Sequence, residues 1–523
     1  MTELLTATQM RAIEQAAIAS GEVTGLELME RAGTGVVEAI LEEWPDMALT
    51  SQKAVVLCGP GNNGGDGFVV ARLLKGRGWD VEVFLYGEVE KLPPDAKVNA
   101  ERWLKFGTVE TLEADKVADS IDEKSSARLI VDALFGSGLN RGIESLNEIE
   151  CILFVVARFG HTFNPPISVV SIDMPSGFCS DSGRYLRHKK NADPFDGINP
   201  DLIVTFHAGR TGHHLSQIAE IGTALRIVDI GLEIRKSKFW SETVRIVETG
   251  LSAVHKLEVN HKFSHGHALI LSGPSAQTGA ARLAARGALR VGAGLVTLGA
   301  PQSAIAECAA QLTAIMLSPI EDSVALTATL KDERINALCL GPALGKDERA
   351  KGLVEAALIS GSKLVLDADA LSEHLIGHLH KNVVLTPHAG EFKRMFPDIM
   401  EKLETPALTG PAYSKVDATR EAAARAGCTV LFKGADTVIA DETGRAAINS
   451  AHYERAAPWL ATAGSGDVLA GFITGLLARG FAPMQAAETA AWLHVECALK
   501  FGPGLIAEDL PEQLPAVFKD LAL

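Results

Sequence analysis

Residues 59–67, with the sequence GPGNNGGDG, combine residue types suited to binding a phosphate-bearing ligand. The glycines match the dinucleotide-binding pattern G-x-G-x-x-G and let the backbone approach a ligand closely. The N–H groups at the start of a following helix favour an anion such as a pyrophosphate. Asn62, Asn63 and Asp66 add oxygen atoms, which suit a polar substrate or a hard cation. A plain structural turn is the alternative interpretation of this segment.

Two later apolar runs also end in carboxylate and glycine residues. Residues 129–135 contain Asp132 and lead into the glycine-rich residues 136–142. Residues 169–173 end in Asp173, and Met-Pro-Ser-Gly follows. Ligands of open parallel sheets bind beyond the carboxyl ends of the strands, so we expect these turns to meet in one crevice. Each aspartate alone could be an ordinary turn residue.

Residues 461–471, ATAGSGDVLAG, carry the chemistry of the second half of the chain. The pattern predicts an amphipathic helix that starts near Gly466, and the small residues before it expose backbone N–H groups. Such a helix start stabilises a phosphoryl group in transfer. Asp467 can then accept a proton from an attacking hydroxyl. Alternatively, Asp467 only complements the helix dipole.

The composition is that of a large acidic protein. The chain has 523 residues, a formal net charge of −16 and 47% hydrophobic residues. At ~100–200 residues per domain, this length predicts two to four domains with substantial cores. The negative charge disfavours nonspecific binding to nucleic acid, which needs a basic surface.

The cysteines and the apolar segments indicate the compartment. The 7 cysteines are scattered singly, without a C-x-x-C pair, and an odd number excludes a complete disulfide framework. The first residues lack the pattern of a secretory signal, and no stretch approaches the ~20 apolar residues of a membrane span. We therefore expect a soluble cytoplasmic protein without a membrane or nucleic-acid partner.

Strand and helix patterns alternate in both halves of the chain. This alternation predicts parallel sheets covered by helices on both faces. A break at 233–260 separates the two series. Capping-box patterns start helices after Thr6 and Thr24. The predicted strands are 54–58, 81–86, 128–134, 167–172 and 201–206 in the first half, and 268–271, 295–298, 336–340, 363–367, 382–386 and 429–433 in the second, which also has a predicted helix at 279–291.

The motifs of the first half resemble the YjeF N-terminal domain. GPGNNGGDG, VDALFGSGLNR and DMPSG carry the resemblance, which covers about residues 1–232. It implies a Rossmann-like three-layer fold and NAD(P)H-hydrate epimerase activity. Asp173 is then the acid–base group, and Asn63, Asp132 and Ser176 ligate K⁺. The hydrated nucleotide contacts Asn62, Asn63, Gly64, Gly65, Asp66, Gly136, Ser137, Gly138, Leu139, Asn140, Arg141, Gly142 and Asp173.

Some features depart from that family pattern. Arg210 stands where a lysine is expected, and the segments 142–167 and 182–201 are longer than usual. Both loops adjoin the predicted crevice, and the sequence does not determine how they line it.

The motifs of the second half resemble the YjeF C-terminal domain over about residues 259–523. GPALG, LDADA, TPHAGE, KGADT and the segment around Asp467 carry the resemblance. It implies a ribokinase-like fold and ADP- or ATP-dependent NAD(P)H-hydrate dehydratase activity, with Mg²⁺ and with Asp467 as catalytic residue. Ala343 and Ser465 replace an expected glycine and threonine. The hydrate contacts Ala281, Gly345, His388 and Asp467, and the adenine nucleotide contacts Lys433, Gly434, Ala435, Asp436, Thr437 and Gly466.

Together the resemblances imply a two-domain repair enzyme, with a linker at 233–258 between the domains 1–232 and 259–523. It would epimerise the R and S forms of hydrated NADH or NADPH. It would then dehydrate the S form with ADP, releasing AMP and phosphate. We also expect a homo-oligomer. The alternative is a ribokinase-like small-molecule kinase fused to a non-catalytic nucleotide-binding module.

Overall fold

The computed structural model divides the chain into two compact units. The first unit comprises Glu3–Val244 and Thr405–Ser414, and the second comprises Arg245–Glu404 and Lys415–Leu523. The change of unit at Val244 falls within the predicted linker, most of which lies outside the described residues. The structure describes residues 3–121, 126–143, 148–149, 151–153, 156, 162–164, 166–189, 198–215, 218, 224–232, 243–248, 254–256 and 261–522.

The first unit is built on a parallel sheet. Its described strands are β1 (Glu3–Leu4), β2 (Lys53–Cys58), β3 (Asp80–Leu85), β4 (Glu110–Thr111), β5 (Ala127–Ala133), β6 (Ser168–Ile172), β7 (Leu202–Phe206) and β8 (Ala224–Val228). Its helices are α1 (Ala7–Ser20), α2 (Gly25–Glu43), α3 (Asn62–Gly76), α4 (Pro94–Trp103) and α5 (Ala114–Ser120). Seven of the strands pair in parallel in the order β4-β3-β2-β5-β6-β7-β8.

The core of this unit lies on both faces of the sheet. Val55 and Leu57 of β2 belong to one buried apolar cluster. The alternate residues Ala54, Val56 and Cys58 belong to another. Because successive side chains of a strand point to opposite faces, both faces are covered. The three-layer arrangement predicted from the sequence is therefore confirmed.

Local signals set the helix starts of this unit. The side chains of Thr6 and Thr24 both form the predicted capping boxes, with Gln9 and Glu27. Helix α3 begins at Asn62, directly after β2. A Cβ at Gly64 would overlap the carbonyl group of Gly59, so the tight turn from strand to helix requires glycine there.

The second unit is a mixed sheet with helices. Its strands are β9 (Val244–Ile246), β10 (His267–Leu271), β11 (Leu295–Ala300), β12 (Met316–Pro319), β13 (Ile335–Leu340), β14 (Lys363–Leu366), β15 (Val383–Leu385), β16 (Thr429–Phe432), β17 (Asp436–Ala440) and β18 (Ala446–Ser450). Its helices are α6 (Gly279–Arg290), α7 (Gln302–Gln311), α8 (Ser323–Thr329), α9 (Glu348–Ile359), α10 (Ala389–Met395), α11 (Pro397–Glu404), α12 (Lys415–Ala426), α13 (Ser465–Ala478), α14 (Pro483–Phe501) and α15 (Asp509–Asp520).

The strands of this unit follow the order β9-β18-β17-β16-β15-β14-β13-β10-β11-β12. Strands β10 to β16 pair in parallel, as predicted. The antiparallel pairs of β17 with β16 and β18 were not predicted. Short turns join β16 to β17 and β17 to β18, and the sequence between these strands shows no helical periodicity.

Helix α13 occupies the centre of the second unit. The helix predicted to start near Gly466 is confirmed, but every residue from Val468 to Ala478 is buried, so its predicted amphipathic character is wrong. A helix that is apolar on all sides packs inside a core. A Cβ at Gly471 would overlap the backbone of Ala284 in α6, so this glycine permits the close contact of the two helices. The packing fixes the position of Asp467 in the first turn of α13.

Among the described residues, no helix is long and apolar enough to cross a membrane.

Candidate active sites

The turns after β2, β5 and β6 of the first unit converge, as their sequences predicted. The Oδ1 atom of Asp132 accepts a hydrogen bond of 2.6 Å from the hydroxyl of Ser176. Its Oδ2 atom accepts bonds of 2.8 Å from the Ser171 hydroxyl and 2.9 Å from the Ser176 N–H. Burial raises the pKa of Asp132, and these hydrogen bonds oppose the rise. Asp132 thus joins the ends of two neighbouring strands.

These oxygen atoms suit a hard monovalent cation. The Ser176 hydroxyl also lies 3.3 Å from the carbonyl oxygen of Phe135. The Asp132 carboxylate, the Ser176 hydroxyl and the Phe135 carbonyl oxygen are therefore close together. The amide of Asn63 lies against the next strand end, within 3.2 Å of the Ile172 carbonyl and 3.3 Å of the Gly136 N–H. Hard cations prefer such oxygen donors. The donor chemistry therefore fits the K⁺ expected at Asn63, Asp132 and Ser176.

Asp173 lies at the end of β6 in a left-handed conformation, with φ 65°. Its Oδ2 atom accepts the Ser137 N–H at 2.7 Å. Its Oδ1 atom accepts the Thr205 hydroxyl at 3.0 Å and the buried Arg210 guanidinium at 3.1 Å. Burial raises the pKa of Asp173, but Arg210 and the bonds from Ser137 outweigh that effect and hold it below its ordinary value. Asp173 is therefore an ionised carboxylate and a proton acceptor.

The pKa of Asp66 is shifted in the opposite direction. Burial raises its pKa well above the ordinary value, and the charges of Asp173 and Glu14 raise it further. Burial also raises the pKa of Glu14. Carboxyl groups whose surroundings move their pKa values apart form acid–base pairs. The pKa of Asp66 is thus shifted upward beside Asp173, whose own pKa is lowered.

The glycines near Asp173 serve different purposes. A Cβ at Gly136 would lie 2.9 Å from the Asp173 Oδ2 atom, so glycine leaves room for that carboxylate. The missing side chains of Gly64 and Gly65 face the interior, against Gly59 and Met29. These two residues can contact a ligand only through their backbone.

The other predicted nucleotide contacts of the first unit differ in exposure. Asn62, Gly138, Asn140 and Arg141 are exposed, whereas Ser137, Leu139 and Gly142 are half-buried.

Asp467 of the second unit lies among other charged groups. It follows Gly464, which takes a left-handed conformation with φ 89° at the start of α13. Burial raises the pKa of Asp467 to about 7, and the charge of Asp367 raises it too, while that of Lys433 lowers it. A general base works best with a pKa near the working pH. The structure thus gives Asp467 the property that its predicted role requires.

Lys433 connects this helix start with the neighbouring strand ends. Its Nζ atom donates to the Asp367 Oδ1 atom at 2.7 Å and lies 3.8 Å from the Glu391 Oε2 atom. Burial lowers the pKa of Lys433, but the carboxylate of Asp367 outweighs it and raises the pKa above its ordinary value. A Cβ at Gly466 would lie 3.4 Å from the same Nζ atom. The ammonium group therefore stands beside the N–H groups that start α13.

Asp436 and Thr437, two of the predicted nucleotide contacts, bond to neighbouring protein groups. Asp436 forms a buried ion pair of 2.6 Å with Lys415. The Thr437 hydroxyl donates to the Gly434 carbonyl at 2.6 Å. Both bonds shape the turn between β16 and β17, whose Gly434 and Ala435 are exposed. This turn can meet a nucleotide through its backbone.

The predicted hydrate contacts differ in surroundings. Ala281 is buried in α6. The Gly345 N–H donates to the Asp369 Oδ2 atom at 3.1 Å, and both residues border a cavity of about 890 Å³. His388 is exposed, and its Nδ1 atom accepts the Gly390 N–H at 3.0 Å at the start of α10. Asp369 also raises the pKa of Asp467, so the cavity lies near the proposed base.

Several charged residues of these sites were not predicted from the sequence. In the sequence Arg210 only departs from the family pattern, whereas in the structure its guanidinium binds Asp173. Asp367 and Glu391 lie within quoted motifs at strand ends, and this placement was the available signal. Lys415 begins α12 and carries no signal. Within the described part of the chain, no three His, Cys, Asp or Glu side chains are grouped to bind a metal.

Comparison with known proteins finds a family match in each half of the chain. Residues 25–212 match the family described as YjeF-related protein N-terminus. Residues 268–515 match the NAD(P)H-hydrate dehydratase family. These matches agree with the Rossmann-like and ribokinase-like assignments of the two halves.

Curated relatives cover the chain from end to end. The bifunctional NAD(P)H-hydrate repair enzyme Nnr of Moorella thermoacetica is 31% identical over 99% of this chain and 97% of its own length. The NAD(P)H-hydrate epimerase of Rhodobacter capsulatus is 46% identical over 44% of this chain and 100% of its own.

A solved structure is similar to about half of the chain. The ADP/ATP-dependent NAD(P)H-hydrate dehydratase of Bacillus subtilis, co-crystallised with ATP/Mg²⁺, is 29% identical and covers 51% of this chain and 93% of its own, with a TM-score of 0.44. The similarity over the whole length of the repair enzymes, together with both sets of motifs, identifies the relationship. The chain belongs to the family of bifunctional NAD(P)H-hydrate repair enzymes.

Proposed function

We propose that this chain repairs hydrated NADH and NADPH, with one reaction in each unit. The first unit interconverts the R and S epimers, and the second dehydrates the S epimer. The observation that carries the proposal is the pair of contrasting carboxylates. Asp173 has a lowered pKa beside Arg210, whereas the pKa of Asp467 is raised to about 7 at a helix start. A lowered pKa keeps Asp173 ionised as a proton acceptor, and a pKa near 7 suits Asp467 to act as a general base.

Epimerisation requires a bond to the hydroxyl-bearing ring carbon to break and form again. A proton leaves the substrate and returns during this process. Asp173 is ionised and held by Ser137, Thr205 and Arg210, so it can accept that proton without changing position. The hydrated ring would lie against Asp173, with the residues at 62–66 and 136–142 around the rest of the nucleotide.

Potassium would be held by Asp132, Ser176 and Asn63. The ion would supply positive charge at the strand ends, where the three turns meet. Asp132 itself joins β5 to the turn after β6 through Ser171 and Ser176. The same bonds position the turn that contains Asp173.

Dehydration is assisted by a phosphoryl transfer, because hydroxide is a poor leaving group and phosphate is a good one. Asp467 accepts the proton of the ring hydroxyl, whose oxygen attacks the terminal phosphoryl group of ADP and releases AMP. The carbon–oxygen bond then breaks, phosphate leaves, and a proton departs from the neighbouring ring carbon. Lys433 and the N–H groups at the start of α13 bind the phosphoryl group in transfer.

Magnesium fits the acidic surroundings of Asp467. Mg²⁺ binds through one or two carboxylates together with substrate phosphates, and it neutralises the charge on those phosphates. Asp369 and Glu391 both raise the pKa of Asp467, and their carboxylates would hold Mg²⁺ there. The turn at 433–437 and Gly466 would hold the adenine nucleotide, and the cavity beside Gly345 would receive the hydrate.

ADP is the proposed phosphoryl donor, with ATP as the competing donor. The cytoplasmic location and the homo-oligomer stay predictions.

The test is incubation of the full chain with a pure hydrate epimer and with mixed epimers, each with ADP, with ATP, or without nucleotide. Without nucleotide, the epimer ratio should reach equilibrium after a pure epimer is added. With ADP, both epimers should disappear while NADH absorbance recovers. A stable phosphorylated product without NADH would instead support the small-molecule kinase. Binding of the hydrate without any change of epimer ratio would support a non-catalytic first unit.

A further inference from the structure

His213 is a fully buried histidine whose hydrogen bonds fix its tautomer. It lies in the short 3₁₀ turn Thr211–His214, directly after Arg210. Its Nδ1 atom lies 3.0 Å from the Arg210 backbone N–H, which can only donate. The ring proton is therefore on Nε2, which lies 2.8 Å from the backbone carbonyl oxygen of Asp173. His213 donates to the backbone of the proposed acid–base residue.

The ring stays neutral over the working pH range. Burial lowers the pKa of His213 to about 4, and the positive charge of Arg210 lowers it as well, while Asp173 opposes the change. The tautomer is thus set by the hydrogen bonds, and the ring carries no charge near neutral pH. A neutral His213 can therefore affect Asp173 through its hydrogen bond alone, without exchanging a proton with the substrate.

The hydrogen bond from the His213 ring is accepted by Asp173, a residue with a strained backbone conformation. Asp173 has φ 65°, a region that residues other than glycine occupy at a cost. Its own N–H donates to the Val204 carbonyl at 2.7 Å, on one side of the residue. The His213 ring binds its carbonyl on the other side. The direction of the Asp173 side chain follows from this backbone conformation.

Arg210 and His213 hold Asp173 at both ends. The Arg210 guanidinium binds the carboxylate, and the His213 ring binds the carbonyl. The bond between the Arg210 N–H and the His213 ring joins these two contacts into one unit. A shift of the turn at 210–214 would therefore displace both the charge and the backbone of Asp173.

We propose that His213 is a positioning residue for epimerisation, acting through its Nε2–H bond to the Asp173 carbonyl. The inference rests on the proposed role of Asp173 as the acid–base group. His213 touches no substrate. It keeps Asp173 in the conformation that aims the carboxylate at the hydrated ring.

Two amide variants separate the two bonds of the ring. His213→Gln places an amide N–H near the Nε2 position and keeps the donor to Asp173. His213→Asn places an amide oxygen near the Nδ1 position and keeps only the acceptor for Arg210. A misplacement of about 1 Å costs about 100-fold in rate, so His213→Asn should lower kcat by about 10- to 100-fold with KM nearly unchanged. His213→Gln should stay within about 3-fold of the parent chain.

The full chain contains its own control. ADP-dependent dehydration of the S epimer belongs to the second unit and should be equal in both variants. In circular dichroism melting of the full chain, the transition that added ADP does not shift gives the folded fraction of the first unit, and epimerisation rates are scaled to that fraction. Both variants remove the same ring from the core and differ by one methylene and by the hydrogen bond that each keeps, so their epimerisation rates are compared only after scaling to the folded fraction.

Each outcome has a defined meaning. Equal epimerisation in both variants, or better activity in His213→Asn, overturns the inference. If Asp173→Asn epimerises like the parent chain, the proposed function of Asp173 fails first. If neither histidine variant folds, ¹⁵N NMR of histidine-labelled parent protein decides the matter. A proton on Nδ1 of His213 overturns the inference, and a proton on Nε2 with a low pKa supports it.

Discussion

Replacement of Asp467 by asparagine should remove activity from the second unit and stabilise it. The change keeps the size of the side chain and removes its charge. Asp467 has a pKa raised from 3.8 to about 7, because it is buried beside Asp367 and other carboxylates. The folded protein therefore carries an unfavourable charge there above neutral pH. Asparagine removes both that charge and the proton acceptor.

Dehydration should fall by ~10²–10⁴-fold in Asp467→Asn, the usual contribution of a general base. In the parent chain, a base with a pKa of about 7 is about one-tenth ionised at pH 6 and about nine-tenths ionised at pH 8. The parent kcat for dehydration should therefore rise about tenfold between these pH values. The residual rate of the variant should not show this rise.

The stability change follows from the same pKa. The raised pKa favours the folded state fully below 3.8, and this contribution is lost as the pH rises through about 7. The loss corresponds to at most about 4 kcal/mol, and solvent near Asp467 reduces it. Asp467→Asn should thus raise the free energy of unfolding at pH 8 and leave it nearly unchanged at pH 3.5.

The measurements are steady-state dehydration, nucleotide binding by calorimetry, and urea unfolding at both pH values. Added ADP shifts the unfolding transition of the second unit and so identifies it. Asp509→Asn is the matched control, because Asp509 also lies in the first turn of a helix of this unit. It should change stability by only about 0.3–1 kcal/mol, the usual size of a helix-dipole effect, and leave dehydration intact.

A near-parental dehydration rate in Asp467→Asn would refute the base assignment. Loss of nucleotide binding together with activity would give Asp467 a binding role. A variant that is less stable than the parent chain at pH 8 would refute the charge argument, and the helix-dipole interpretation would then account for Asp467.

Three further predictions concern the remaining charged groups. Asp132→Ala should weaken epimerisation and its dependence on K⁺ while dehydration of the S epimer persists; unchanged epimerisation at every K⁺ concentration would remove Asp132 from the site. Lys433→Met should lower dehydration by about 10²-fold or more, since it removes a charge from the phosphoryl site; single-turnover assays at saturating ADP check this, and a parental rate would contradict it. Epimerisation should be constant between pH 6 and 8, because the pKa of Asp173 lies below 3.8; the stability from its ion pair is present above 3.8 and is lost as the pH falls through the lowered pKa. A tenfold rise in epimerisation over that range, like the one expected for dehydration, would show that another group acts as the base.

Local patterns were sufficient for much of the fold. Predicted strands such as 54–58 and 201–206 agree with the observed Lys53–Cys58 and Leu202–Phe206 to within one residue. Apolar runs bounded by glycine turns are local signals, and buried parallel strands show them strongly. The hairpin of β17 and β18 was missed because no helical period or long apolar run distinguishes it.

The sequence by itself determined where the reactive groups lie along the chain, because turn glycines and strand ends can be recognised from neighbouring residues. The placement of Asp173 and Asp467 at such ends needed no structure. Only the tertiary structure decided their protonation. The pKa of Asp173 depends on Arg210, and that of Asp467 on Asp367, which is 100 residues away in the chain. Burial and nearby charges of either sign shift the pKa of a side chain. Only folding brings residues that are distant in the chain together in a poorly solvated site.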